Sequence, residues 1–107
     1  MSPILMKALA TQNITYNLHS AGVAPGKHLK LEEVVSVLAT SVDRRGIPFV
    51  AVMEHRSLPI YGTQFHPEKP EFVRNSRRTH IPKTHNAKAV GLYLAEFFVN
   101  ATRSTAV

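Results

Sequence analysis

Leu58-Pro59-Ile60-Tyr61-Gly62-Thr63-Gln64-Phe65-His66-Pro67-Glu68-Lys69 is the stretch on which the reading of this chain turns. Its apolar and β-favouring residues predict a short strand over Pro59–Phe65. That strand delivers a histidine and, two positions later, a glutamate onto a tight exit containing Pro67. An imidazole with a carboxylate in reach is a proton-transfer pair, in which the carboxylate orients the ring and the ring moves the proton. A nucleophile completes such a pair, and the 107 residues include no cysteine.

The composition bounds what surrounds this pair. A chain of 107 residues, 44% hydrophobic and 19% charged, has the make-up of one globular domain with a modest core. No apolar run approaches the roughly 20 residues of a membrane span. The opening Met1-Ser2-Pro3-Ile4-Leu5-Met6-Lys7 lacks a basic segment before its apolar residues and is interrupted by Lys7, so no signal peptide is expected. Without cysteine there is no disulfide, no zinc–thiolate site and no thiol nucleophile in the chain. The net charge of +6 raises the question of nucleic acid. Basic residues gather at Lys69, Arg74, Arg77, Arg78, Lys83 and Lys88. Aromatics are not interleaved with them, and no helix-turn-helix, zinc-finger or RNP-like pattern is present, so a basic loop is the better reading.

Working outward, Pro3 suits the first turn of a helix over 3–10. Ile14, Tyr16 and Leu18 alternate with Thr15, Asn17 and His19, which predicts a strand. The run 21–26 is turn chemistry, and Leu29–Glu33 is one helical turn. Val34–Ser41 reads as a strand, Asp43–Gly46 as a turn and Pro48–Glu54 as its antiparallel partner. A polar loop should follow Glu68. From Asn86, a good N-cap, apolar residues at Ala87, Val90, Leu94, Phe97, Phe98 and Ala101 recur at helical spacing, with Tyr93 and Val99 widening the face. This closing helix is expected to cover one side of the sheet, its aromatics packed in the core. The order resembles the second half of an α/β sandwich, whose active residues sit beyond the carboxyl ends of strands.

Tyr61-Gly62-Thr63-Gln64-Phe65-His66-Pro67-Glu68-Lys69 closely resembles the catalytic His-Pro-Glu region of class I glutamine amidotransferase-like enzymes, and within them of the gamma-glutamyl hydrolase (folylpolyglutamate hydrolase) family. Tyr93-Leu94-Ala95-Glu96-Phe97-Phe98-Val99-Asn100 resembles the terminal helix of that family. Tyr16–His19, Val37–Asp43 and Phe49–Glu54 fall in the family's order and spacing. The resemblance covers nearly the whole chain.

The resemblance implies an α/β fold, the C-terminal portion of a three-layer αβα sandwich with mixed strands and a closing helix. On it, residues 1–107 are the C-terminal part of one domain whose cysteine-bearing N-terminal part is absent. It implies hydrolysis of gamma-glutamyl bonds in folate or antifolate polyglutamates by a Cys–His–Glu arrangement. His66 matches the catalytic histidine and Glu68 its orienting carboxylate, with no cofactor and no metal. His19 matches a histidine near the substrate cleft; the alternative is a strand-end histidine with a structural hydrogen bond. His28, His55, His80 and His85 have no such match and read as surface residues. The expected partners are the substrate, the missing part of the domain and, in the intact enzyme, a second copy in a homodimer; neither nucleic acid nor membrane is expected. The location implied is lysosomal, vacuolar or extracellular, with which the sequons at Asn13 and Asn100 agree.

The loop after Glu68 should border the cleft, where Arg74, Arg77 and Arg78 could meet the carboxylates of a polyglutamate tail; a solvated loop is the plainer reading. The isolated chain is expected to be inactive. Two other functions fit less well: a glutaminase fragment of amidotransferase type, against which the Leu94–Asn100 block argues, and a non-catalytic binding module using the basic loop.

Overall fold

A computed structural model describes residues 1–19, 21–72 and 81–105. The elements run α1 (Pro3–Thr11), α2 (Leu29–Glu32), β1 (Val35–Val42), β2 (Pro48–His55), β3 (Tyr61–Thr63), α3 (Lys69–Phe72) and α4 (His85–Thr105). They form two compact units: Met1–Asn17 with His66–Val107, and Leu18–Phe65. The mixture of helices and a small antiparallel sheet ending in a C-terminal helix is compatible with the α/β class expected.

The Leu18–Phe65 unit is a three-stranded sheet in the order β1-β2-β3, with both pairings antiparallel. Asp43 builds the first hairpin. Its Oδ1 accepts from the amides of Arg45 at 2.8 Å and Ile47 at 2.9 Å, while its own amide donates to the Ile47 carbonyl at 3.0 Å. Gly46 closes the turn at φ +77°, a conformation that a Cβ disfavours. Leu38 is left out of the β1–β2 register between Val37↔Met53 and Ala39↔Val52, and the ladder shifts again at Thr40↔Val50. This bulge leaves Leu38 exposed. Phe49, Val50 and Ala51 are buried in succession on the middle strand. The Val50 amide reaches past the sheet to the Val23 carbonyl at 2.8 Å.

β3 is shorter than the Pro59–Phe65 strand expected. Pro59 has no amide to give, and His55 holds the preceding link, its Nδ1 accepting from the amides of Ser57 (3.1 Å) and Leu58 (3.0 Å). Pairing with β2 nonetheless extends past both ends of the strand, through His55 N–H to the Ile60 carbonyl (2.8 Å) and Gln64 N–H to that of Ala51 (2.9 Å).

In the other unit, Ser2 caps α1, accepting from the Leu5 amide at 3.2 Å, and Pro3 occupies its first turn. α4 begins one residue before the expected cap. Thr84, not Asn86, is the capping side chain: its Oγ1 accepts from the Ala87 amide at 3.2 Å, three positions on. Asn86 instead donates from Nδ2 to Gln12 Oε1 at 3.1 Å, tying α4 to the end of α1. The core between them is Ala8, Ile14, Ala87 and Val90, with Leu5, Leu9 and Leu94 packed around it.

Three expectations are corrected here. Ile14 and Tyr16 are buried as their alternation requires, but Ile14–His19 forms no strand; the Ile14 amide donates to the Gln12 carbonyl at 3.0 Å, and the Tyr16 carbonyl accepts from His66 N–H at 2.8 Å. The polar segment after Glu68 opens as a helical turn, α3, onto whose Lys69 and Pro70 carbonyls Lys83 Nζ donates at 3.4 and 3.2 Å. The aromatics of α4 are not core: Phe97 and Phe98 are 40% and 67% exposed. The reason is length. A nine-residue α1 spans about 14 Å and a 21-residue α4 about 32 Å, so α1 covers only the first half of α4.

Candidate active site

His66 follows Phe65, whose side chain is buried, and opens a turn in which the Lys69 amide approaches the His66 carbonyl at 3.4 Å. Pro67 holds the backbone between His66 and Glu68 at a fixed φ and contributes no donor. Across it, His66 Nδ1 lies 3.1 Å from Glu68 Oε1. A carboxylate oxygen only accepts, so Nδ1 carries the proton and the lone pair of the neutral ring falls on Nε2. The side chains are 37% and 53% exposed, so the contact adds little to stability. What it supplies is a chosen tautomer.

Two residues that the sequence reading did not single out complete the surroundings. Tyr16 accepts the His66 amide at 2.8 Å and sets its ring 6.1 Å from the imidazole, with the planes at 46°. Gly91, on α4, lets the helix come against the turn: a Cβ there would stand 2.5 Å from the Pro67 carbonyl oxygen. An isolated glycine inside a helical pattern is the signal that could have found it. The alternation over 14–19 marks Tyr16 as buried but does not mark its approach to His66.

The remaining candidates are placed as follows. His19 belongs to the Leu18–Phe65 unit, its ring edge-on to Phe49 at 5.2 Å and its Nδ1 3.1 Å from the Ala21 carbonyl. Arg74, Arg77 and Arg78, and with them His80, lie outside the described residues. His55 caps a loop, and His28 precedes α2 without a side-chain capping bond. A depression of about 80 Å³ in the sheet unit, lined by Val50, Ala51, Met53 and Gly62 among others, has room for two or three waters rather than a substrate. Among the described residues, no group of three or more His, Asp or Glu side chains could hold a metal ion, and no helix is long and apolar enough to cross a membrane.

A histidine oriented through Nδ1 by a carboxylate is an arrangement able to take and return a proton at Nε2. The sequence profile of the family described as glutamine amidotransferase class-I matches residues 3–84. Gamma-glutamyl hydrolase of Homo sapiens is 36% identical over 104 residues, 92% of this chain and 31% of the relative. Gamma-glutamyl hydrolase B of Dictyostelium discoideum is 33% identical over 104 residues, 94% of this chain and 30% of the relative. Gamma-glutamyl hydrolase 2 of Arabidopsis thaliana is 28% identical over 106 residues, 96% of this chain and 30% of the relative. The chain thus spans less than a third of the length of these curated relatives. With the profile covering most of its residues, the chain belongs to the glutamine amidotransferase class-I family.

Proposed function

We propose that this chain carries the acid–base half of a gamma-glutamyl hydrolase acting on folate polyglutamates. The observation that carries the reading is the Nδ1–Oε1 contact of 3.1 Å between His66 and Glu68; the names of the relatives support it. The nucleophile is a cysteine thiol supplied by polypeptide outside these 107 residues, which contain none. Residues 1–107 are then the C-terminal part of a single domain, inactive alone.

His66 Nε2 takes the thiol proton. The sulfur attacks the gamma-glutamyl carbonyl, and the carbonyl π pair moves to oxygen. As the tetrahedral centre collapses, the C–N bond breaks and Nε2 returns its proton to the departing amine, leaving a thioester. Nε2 then accepts a proton from water, whose oxygen attacks the thioester carbonyl. The carboxylic acid leaves, and the proton returns to sulfur. Glu68 keeps Nδ1 protonated throughout and stabilises the imidazolium stage. A lysosomal, vacuolar or extracellular location belongs to the same reading, in which the exposed Asn13 and Asn100 are the candidate glycan acceptors.

The test is complementation. Joined to the cysteine-bearing portion of a relative, the chain should release glutamate from a folate polyglutamate, and neither part should do so by itself. A joined, folded protein that releases ammonia from glutamine, but leaves gamma-glutamyl tails intact, would overturn the reading in favour of a glutaminase.

Arg74, Arg77 and Arg78 supply the substrate-tail side of this proposal. Guanidinium groups pair with carboxylates in bidentate fashion, and a polyglutamate tail offers one carboxylate per residue. Replacing all three by glutamine in the joined enzyme should raise KM more for long tails than for the diglutamate. Equal changes for both substrates would remove the arginines from tail recognition.

A further inference from the structure

We infer that Tyr16 is a positioning residue for His66, fixing the imidazole through its ring and its main chain together. The inference deepens the reading of His66 as the proton-transferring group and rests on it. Glu68 by itself does not hold the ring. Both side chains of that pair are substantially exposed, and exposed ionic contacts exchange readily with water. Proton transfer is sensitive to small misplacements of the ring.

Tyr16 acts on the position of the ring in two ways. Its carbonyl accepts the His66 amide at 2.8 Å, which fixes where the side chain of His66 departs from the backbone. Its ring, with the centroid 6.1 Å from the imidazole at 46°, lies within the range at which aromatic pairs attract and walls one side of the imidazole. The two contacts act on different coordinates: the first on the backbone, the second on χ1 and χ2. Tyr16 is itself a firm support, being only 8% exposed. Two residues before it, Ile14 is 3% exposed and sits in the core with Ala8, Ala87 and Val90. The position of the ring is therefore set by the packing of α1 against α4, through a segment that has no ladder of its own.

The contact is one between rings, so the variants separate ring from volume. Tyr16→Phe keeps the ring, Tyr16→Leu keeps much of the volume without it, and Tyr16→Ala removes both. The readout is the tautomer of His66, taken from the ring ¹⁵N shifts of the labelled 107-residue chain at alkaline pH, where imidazoles are neutral. Glu68→Ala provides the reference for a ring that has lost its orientation. The parent and Tyr16→Phe should show the Nδ1–H form. Tyr16→Ala and Tyr16→Leu should move toward the shifts of the Glu68→Ala reference, with helix content by circular dichroism unchanged. A Tyr16→Ala protein of parental helix content and parental ring shifts would overturn the inference. If Tyr16→Ala loses helix content, Tyr16→Leu decides: parental shifts overturn the inference, reference-like shifts support it. None of these readouts involves turnover, so they stand apart from the catalytic reading, which fails only if the joined enzyme works without His66.

Discussion

Replacing His66 with alanine in the joined enzyme lowers kcat toward a gamma-glutamyl peptide by roughly 10²- to 10⁴-fold, the range that a positioned general acid–base supplies. The loss falls on kcat because the ring serves the reacting atoms and not the polyglutamate tail. The same variant should slow alkylation of the thiol by iodoacetamide, since the thiolate is the reacting form and Nε2 is the group proposed to take its proton. Glu68→Gln makes a useful companion. Its amide oxygen still accepts from Nδ1–H and preserves the tautomer, whereas its lost charge no longer stabilises the imidazolium. It should therefore lose less than Glu68→Ala. A folded His66→Ala enzyme whose kcat stays within a few-fold of the parent would take His66 out of the proton path.

The second large effect is on stability. Gly91→Val should destabilise the chain by about 1–2 kcal/mol and lower Tm by about 5–15 °C, figures typical of overpacking in a domain of this size. Helix propensity alone says the opposite, since an exposed helical glycine is worse than other non-proline residues by up to about 1 kcal/mol. Contact decides the sign. A Cβ at Gly91 meets the Pro67 carbonyl oxygen at 2.5 Å and its carbon at 3.6 Å, and these are backbone atoms that cannot swing aside as a side-chain tip can. The carbonyl sits between His66 and Glu68, so its retreat also disturbs their contact at 3.1 Å. A thermal melt followed by circular dichroism measures the first effect and the His66 ring shifts the second. A rise in Tm would mean that propensity outweighs the close approach.

The sequence carried those parts of the fold whose cause is local. Pro3 announces α1, and the Asp43–Gly46 turn announces the β1–β2 hairpin, because helix-start and turn chemistry lie within a few residues of what they control. The segment Ile14–His19 misleads for a physical reason: alternation reports which side chains are buried, while a strand needs a ladder partner, and alternation does not supply one. Thr84 and Asn86 are both capping types, and only the geometry of the Ala87 amide distinguishes them. At the site, His66 and Glu68 were legible because they share one turn. Tyr16 and Gly91 were not, since each reaches that turn from a distant part of the chain.

The contact between His66 and Glu68 spans one intervening residue, whose own φ is held at about −65° by its ring. Chain-closure entropy grows with the logarithm of separation, so a pair this near in sequence assembles almost without cost once its turn exists. The thiol of the proposed reaction stands at the other extreme, because it must be brought to the turn by polypeptide beyond these residues. Most of the ordering entropy of the three-part centre then falls on a single docking event. On this view the acid–base unit is a preassembled cassette, and complementation amounts to presenting one sulfur to Nε2.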